Sequence, residues 1–220
     1  MSATIERNLR LYPPYQAARS SAFWLPVFFL YFSSRFSVAE VLLLEAIYYC
    51  AVVVLEVPSG YLSDRLGRRP TLLVATAAWT LGYVALAIGG PWWAFAAGQV
   101  AIAAGMAFNS GTDSAMVFDS LAALGRGHEL AAVEGRAQSW GAFSMAGAAL
   151  VGGLLASFDL RSGHALSAIG AAVGFGLAWS LREPERTRVA ERPAAQLRAV
   201  VSTLRDGALR WVFLFAVAMT

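Results

Sequence analysis

A cluster of opposite charges lies between residues 60 and 70, in the run Gly60-Tyr61-Leu62-Ser63-Asp64-Arg65-Leu66-Gly67-Arg68-Arg69-Pro70. One carboxylate, that of Asp64, is surrounded by three arginines. A carboxylate can accept paired hydrogen bonds from a guanidinium, so this run is suited to forming ion pairs. Two glycines and a proline predict a tight, sharply turning connection. An ordinary basic loop would explain the arginines, but it would not explain the spacing of Gly, Asp, Gly and Arg.

Three further carboxylates lie in apolar stretches, at Glu45, Glu56 and Asp113. A charge at bilayer depth costs at least about 2.5–3.5 kcal/mol, so such a group usually faces a cavity or a partner. Glu45 and Glu56 would share one face of a helix and lie about 16 Å apart, since a helix rises about 1.5 Å per residue. They are candidates for a polar stripe. The alternatives are that Glu56 caps a helix or pairs with a nearby Arg, and that Glu45 reaches outer water.

The stretch from Asn109 to Asp119 carries Asp113, a further acid and an amide. Asn109 and Asp113 are one helical turn apart and share a face. Asp113 and Asp119 are about 120° apart around a helix, so they should do different jobs. Asp113 is a candidate for an internal pathway or for coupling, and the alternative is an interhelical hydrogen bond.

The elements that must position these side chains are membrane helices. Of the 220 residues, 58% are apolar and only 14% are Asp, Glu, Lys or Arg, against roughly 25% charged in an average soluble domain. This composition excludes a soluble globular protein and a disordered one. Charge-free stretches and glycine or proline breaks predict an all-α integral membrane protein with six transmembrane helices, over about 18–37, 40–62, 70–89, 92–118, 137–158 and 164–182.

The arginines predict the orientation of these helices. All 17 basic residues are Arg, and an inside N-terminus puts 15 of them on the inner side, leaving only Arg35 and Arg161 outside. Cytoplasmic loops of membrane proteins carry such an excess. It also explains the net charge of +3 without nucleic acid as a partner. The abundance of Arg, Ala and Gly indicates a bacterial source, so the predicted location is the bacterial cytoplasmic (inner) membrane, multi-pass.

Few residues are available for metal or redox chemistry. The single cysteine, Cys50, excludes a disulfide framework, and the two histidines, His128 and His164, form no metal-binding spacing. No ATP-binding motif is present either. We therefore expect no cofactor and no metal. His164, at the outer end of the sixth helix, is expected at the membrane interface. With three acids and no Arg at bilayer depth, the interior should favour cationic or neutral solutes over anions.

The pattern G-x-x-x-D-R-x-G-R-R at residues 60–69 resembles the loop signature of the major facilitator superfamily of secondary transporters, and it lies between the second and third predicted helices, as in that family. The resemblance implies the N-terminal six-helix half of such a transporter, with helices around a pathway that opens to each side in turn. It implies a conformational latch that holds the outward-facing state. The residues carried over to that latch are Gly60, Asp64, Arg65, Gly67, Arg68, Arg69 and Asp119.

Two weaker family signatures are incomplete. Many proton-coupled members carry an Arg four residues before a Gly in helix four, but Ala101 precedes Gly105 here. Drug antiporters carry a Gly-Pro pair in helix five, but Ala148-Ala149 stands there. A stripe of small residues at helical spacing remains, at Gly141, Ala148, Gly152 and Ala156. Transport of a small solute by alternating access is predicted, with efflux of a drug or organic cation as one form and a proton or cation as a coupling ion.

The predicted organisation is a cytoplasmic N-terminus over 1–17, the bundle over 18–182, an inner linker with an amphipathic helix over 183–208, and the truncated start of a seventh helix over 209–220. Alternating access needs two halves. The expected partners are therefore the lipid bilayer, a small-molecule substrate, and either a missing C-terminal half or a second copy. The alternative is a truncated, non-transporting half or a membrane partner that needs a second half.

A remote alternative is an intramembrane serine protease, because such enzymes use a Ser in helix four and a His in helix six. Ser110 and His164 have those positions. Ser110 would lie about 25 Å below the outer end of its helix, at about 1.5 Å per residue, whereas His164 is at the outer end of its own. The two could not reach hydrogen-bond distance, so the sequence predicts no enzyme.

Overall fold

A computed structural model describes residues 2–184. Within that range the chain is helical and forms no strand. Its α-helices are α1 (Ser2–Arg19), α2 (Phe28–Ser33), α3 (Val38–Leu66), α4 (Arg68–Ile88), α5 (Trp92–Asn109), α6 (Thr112–Ala123), α7 (Leu130–Ala156) and α8 (Ser162–Ser180). Short 3-10 turns occupy Leu25–Val27 and Gly127–Glu129. Apart from Glu183 and Pro184, the predicted linker over 183–208 and the predicted seventh helix over 209–220 lie outside the described residues.

The first helix differs from the prediction. A polar terminus over 1–17 and a helix over 18–37 are expected, whereas Ser2–Arg19 is one continuous helix. Its buried side chains recur every three or four residues and belong to Ile5, Asn8, Tyr12, Tyr15 and Gln16. They pack against α6, α7 and α8. Hydropathy does not detect a buried face made largely of Asn, Gln and Tyr, and the Pro13-Pro14 pair inside the helix is normally a break signal.

Between α1 and α2 the chain leaves its helical path, over residues 20–24. Glycines of neighbouring helices make room for this break. A Cβ on Gly152 of α7 would overlap the Phe23 carbonyl, and a Cβ on Gly163 of α8 would lie 2.9 Å from the Trp24 Cα. A Cβ on Gly141 would lie 3.0 Å from the Ser20 Oγ. The predicted small-residue stripe of the fifth helix therefore packs, through Gly141 and Gly152, against the interrupted first helix.

The α3–α4 hairpin is tighter than predicted. Instead of a loop between helices ending at 62 and starting at 70, α3 runs to Leu66 and α4 starts at Arg68. Only Gly67 is non-helical, with a φ of 116° that favours glycine. The charged residues of the 60–70 run therefore lie in the last turn of one helix and the first turn of the next. Helix geometry gives them fixed relative positions that a flexible loop would not.

The predicted fourth helix, over 92–118, is also interrupted. Its two parts, α5 and α6, meet at Ser110 and Gly111, and Gly111 has the left-handed conformation with a φ of 69°. Asn, Ser and Gly are turn-forming residues, which explains the break at this point in an otherwise apolar stretch. The two interrupted helices, first and fourth, contact each other through α1 and α6.

Three described segments are long and apolar enough to cross a membrane: Val38–Glu56, Arg68–Ile88 and Gly127–Ala156. The breaks in the first and fourth predicted helices leave α2 with 6 residues and α6 with 12, and a membrane-spanning helix needs about 20. The all-helical architecture is confirmed, whereas the count of six spans stays a prediction.

Candidate functional site

Arg68 is the centre of the charged hairpin. Its guanidinium lies 2.8 Å from the Asp64 carboxylate, one turn back across Gly67, and 3.3 Å from the Asp119 carboxylate of α6. It also donates to the Ser63 Oγ at 2.8 Å. The Asp64 side chain is 54% exposed, and that of Asp119 only 17%. One guanidinium thus joins the α3–α4 hairpin to α6, the second part of the interrupted fourth helix.

A third acid, Glu183, binds the start of α4 and is not among the sequence candidates. Its two carboxylate oxygens accept from the backbone N–H groups of Arg68 and Arg69, each at 2.8 Å. These N–H groups open α4 and have no partner within the helix, and the helix dipole favours a negative charge there. The Arg69 guanidinium donates to the Trp179 carbonyl at 2.8 Å. The segment after α8 is therefore attached to the start of α4.

The remaining residues of the loop signature have different surroundings. A Cβ on Gly67 would lie 2.8 Å from the Glu183 Oε1, so a side chain there would displace the cap. Arg65 lies over the Tyr61 ring at 5.4 Å from its centroid and is exposed. Gly60 is exposed, and a Cβ there would contact nothing within 4 Å. The structure brings Asp64, Arg68 and Asp119 together, but it does not bring Gly60 or Arg65 into that cluster.

The acids of α3 face the fourth helix at two levels. The Gln99 amide of α5 donates to the Glu45 carboxylate at 2.7 Å. Three turns further on, the Ser110 hydroxyl donates to the Glu56 carboxylate at 3.1 Å. The spacing between Glu45 and Glu56 along α3 equals that between Gln99 and Ser110 along the fourth helix. This agrees with the prediction that the two acids share one face of α3. The interpretation that Glu56 pairs with a nearby Arg has no support among the described ion pairs, since its bond is to Ser110.

The two candidates on the fourth helix, Asn109 and Asp113, both contact α1. The Tyr15 hydroxyl donates to the Asn109 Oδ1 at 2.6 Å, and the Gln16 amide donates to the Asp113 Oδ2 at 3.1 Å. The Arg19 guanidinium lies 3.5 Å from the same carboxylate. Asp113 thus makes interhelical bonds, the second of its two predicted interpretations, and any role in a pathway stays a prediction.

This pairing corrects the predicted charge balance of the interior. Arg19 is counted in the sequence analysis among the arginines of the inner side, but it lies beside Asp113, so one of the three interior acids is neutralised by a cation. Several residues that bond the interior polar groups were missed by the sequence analysis. Four belong to α1 and two to neighbouring helices: Tyr12, Tyr15, Gln16, Arg19, Gln99 and Glu134. Tyr12 donates to Glu134 of α7 at 3.0 Å. The three-to-four-residue spacing along α1 is the signal that could have found most of them.

His164 is buried within the bundle near the start of α8, and its expected position at the membrane interface stays a prediction. Its side chain is 1% exposed and lies against the rings of Trp24, Tyr31 and Phe32. Ser110, the other residue of the protease alternative, is bonded to Glu56 instead. Among the described residues no group of three or more His, Cys, Asp or Glu side chains could hold a metal ion.

A sequence profile described as Major Facilitator Superfamily matches residues 16–220. No curated protein matches the chain. Two solved structures have the same fold at 17% sequence identity. One is a mutant form of the peptide transporter POT in complex with sulfate, with a TM-score of 0.61, covering 95% of this chain and 45% of that one. The other is a D-xylose-proton symporter, with a TM-score of 0.59, covering 96% of this chain and 54% of that one. The chain therefore spans about half the length of the transporters it matches.

Proposed function

Because the chain belongs to the major facilitator superfamily, we propose that it acts as a secondary active transporter that moves a small solute across a membrane by alternating access. The membership and the transporter folds of its structural neighbours support transport rather than enzyme chemistry. Alternating access requires two bundles that move against each other. This bundle would therefore work with a second one, supplied by further sequence or by a second copy.

The observation that carries the proposal is the position of Arg68 between Asp64 and Asp119. The three groups lie at one end of the bundle, where they join the α3–α4 hairpin to α6 without occupying its interior. In this position they would stabilise one state of the transport cycle, the outward-facing state by resemblance to the family. Glu183 would add the segment that follows α8 to the same cluster, because it binds the first turn of α4.

We propose efflux of an organic cation as the specific activity, in the cytoplasmic membrane of a bacterium with the N-terminus inside. The arginine distribution supports the orientation. Glu45 and Glu56 support the charge preference, because each is bonded to a neutral side chain and not to an Arg among the described ion pairs. Asp113 contributes less to that preference than the sequence suggests, since Arg19 compensates its charge.

Transport by the full-length protein in proteoliposomes tests the proposal. Radiolabelled organic cations and anions are offered in parallel, and exchange is measured with and without a proton gradient. We expect cation exchange and its loss, by about tenfold or more, in Arg68→Ala. Arg136→Ala, which removes an exposed Arg of α7 outside the cluster, should retain the wild-type rate. Preference for anions would overturn the substrate class, and equal rates in both variants would overturn the latch.

Crosslinking in detergent tests the source of the second bundle. If a second copy of the chain supplies the second bundle, crosslinking should trap a dimer at low protein concentration. A monomer that exchanges substrate alone would contradict the need for two bundles.

A further inference from the structure

A cavity of about 270 Å³ lies inside the bundle. Its walls come from the interrupted first helix and from α3, α4, α5, α7 and α8, and it opens to the surface of the bundle on the side of Tyr49, which is exposed. Seven of its 17 lining residues carry aromatic rings, among them Trp24, Phe32, Trp79 and Tyr83. The break after α1 brings Trp24 into the wall, where its Nε1 donates to the Tyr83 hydroxyl at 3.2 Å. Small-molecule sites are of this kind, apolar with a few polar groups.

One polar group in the wall has no partner. His164 is 1% exposed and lines the cavity, and its Nδ1 is buried without a hydrogen bond among the described residues. Buried nitrogen atoms in native proteins are nearly always bonded, so an unbonded one requires an explanation. This atom is closed to water in the present conformation, so a rotation of the ring would be needed to present it to the cavity. A ligand hydroxyl would then supply the missing bond, because a hydroxyl can donate or accept and so suits either tautomer of the ring.

A second polar group supplies charge. The Glu45 carboxylate accepts one hydrogen bond, from Gln99, and takes part in no ion pair among the described residues. Arg19 also lines the cavity, but its guanidinium lies 3.5 Å from the Asp113 carboxylate, which compensates it. The cavity therefore has one uncompensated negative charge among aromatic rings. Both features attract a cation, the carboxylate by charge and the ring faces by their quadrupoles.

We propose that this cavity binds a small aromatic amine that carries a ring hydroxyl. Its ammonium group binds the Glu45 carboxylate, its ring packs among the aromatic walls, and its hydroxyl bonds the His164 Nδ1. The inference rests on the proposed function in its substrate class, since it specifies which organic cations the protein takes. It adds the residues of this bundle that would hold the ligand.

Equilibrium dialysis of the purified full chain in detergent tests the proposal without any transport. Three probes of one size are compared: tyramine, which has both groups; phenethylamine, which lacks the hydroxyl; and 4-hydroxyphenylacetate, which replaces the ammonium with a carboxylate. We expect tyramine to bind about fivefold to tenfold more tightly than phenethylamine, the contribution of one hydrogen bond. The acid should not bind measurably. This comparison needs no variant, so it does not depend on the folding of one.

Three variants then assign the groups. Glu45→Gln should weaken both amines by about tenfold or more, because it removes a charge-assisted bond. His164→Phe should make tyramine and phenethylamine equal in affinity. Glu6→Gln makes the same chemical change as the first variant at an exposed carboxylate outside the cavity, and it should bind like the wild type. Circular dichroism and size-exclusion chromatography confirm that each variant folds.

The proposal is overturned if 4-hydroxyphenylacetate binds as tightly as tyramine, or if Glu45→Gln and Glu6→Gln bind alike. A preference for tyramine that persists in His164→Phe would remove His164 from the site. Binding of amines by a protein that transports nothing would leave this site in place and contradict the proposed function. Transport of other cations without tyramine binding would do the reverse.

Discussion

Arg19 ends α1 and lies 3.5 Å from Asp113 in the first turn of α6. The pair therefore joins the two interrupted helices of the bundle at their breaks. The two side chains are 23% and 7% exposed. Each charge depends on the other for most of its compensation, because water reaches neither freely.

Asp113→Asn should destabilise the protein by about 1–3 kcal/mol. Breaking a fully buried pair costs about 3–5 kcal/mol by leaving one charge uncompensated, and the partial exposure of Arg19 reduces that cost. Thermal unfolding in detergent measures the change. Glu6→Gln breaks an exposed pair with Arg126 and should cost less than about 1 kcal/mol. The double variant Arg19→Gln/Asp113→Asn should be less destabilised than the sum of its single changes, and strict additivity would show that the two charges do not interact.

Asp119→Asn should cost more stability than Asp64→Asn, although both carboxylates bind Arg68. The Asp119 side chain is 17% exposed and that of Asp64 is 54% exposed, so water replaces the lost bond more easily at Asp64. We expect about 1–2 kcal/mol for the first change and less than about 1 kcal/mol for the second. The same unfolding assay compares them. An equal or reversed order would mean that Asp64 is covered in the membrane by groups outside the described residues.

Glu183→Ala should loosen the first turn of α4. The carboxylate caps the N–H groups of Arg68 and Arg69, and loss of a helix N-cap costs about 1 kcal/mol. Hydrogen exchange of a peptide that covers residues 67–71 should be about fivefold faster, with no change in α7. Glu183→Gln keeps one acceptor oxygen and should give an intermediate rate. Unchanged exchange in both variants would contradict a capping role.

Gly152→Ala should be strongly destabilising, whereas Gly153→Ala should not. A Cβ at 152 would overlap the backbone carbonyl of Phe23, which cannot move without shifting the break after α1. At 153 the nearest atom, the Pro26 Cγ, would be 3.9 Å away, an ordinary contact. Overpacking of this kind costs about 1–3 kcal/mol. Matched thermal unfolding of the two variants decides, and equal stability would mean that the break does not pack against α7.

The sequence predicts the boundaries best where a helix is continuous and apolar. The predicted helices over 70–89 and 164–182 differ from α4 and α8 by about two residues at each end. Hydropathy is reliable for these two helices because each is apolar along its whole length, so its sequence pattern has a single cause. In the helix Ser2–Arg19 the buried face consists largely of polar side chains that bond other helices. Its composition therefore resembles that of a solvated terminus.

The contacts of the candidate site also fall into those that could be predicted from the sequence and those that could not. The resemblance of residues 60–69 to the family's loop signature implied that Asp64, Arg68 and Asp119 belong together, and the structure places Arg68 beside both carboxylates. The partners of Asp113 and Glu45 could not be predicted. Arg19 and Gln99 are about 94 and 54 residues from them in sequence, a separation that carries no information about contact.

By itself, then, the sequence determined the class of protein, the helical composition and the charged hairpin, since these depend on local spacing and on average polarity. The tertiary structure alone decided which charges are compensated. It placed a polar helix in the interior, paired its last residue with Asp113, and buried His164 in an aromatic cavity. The physical reason is that charge compensation and burial depend on which distant segments pack together. In this bundle two helix breaks, and the glycines that accommodate the first of them, determine that packing.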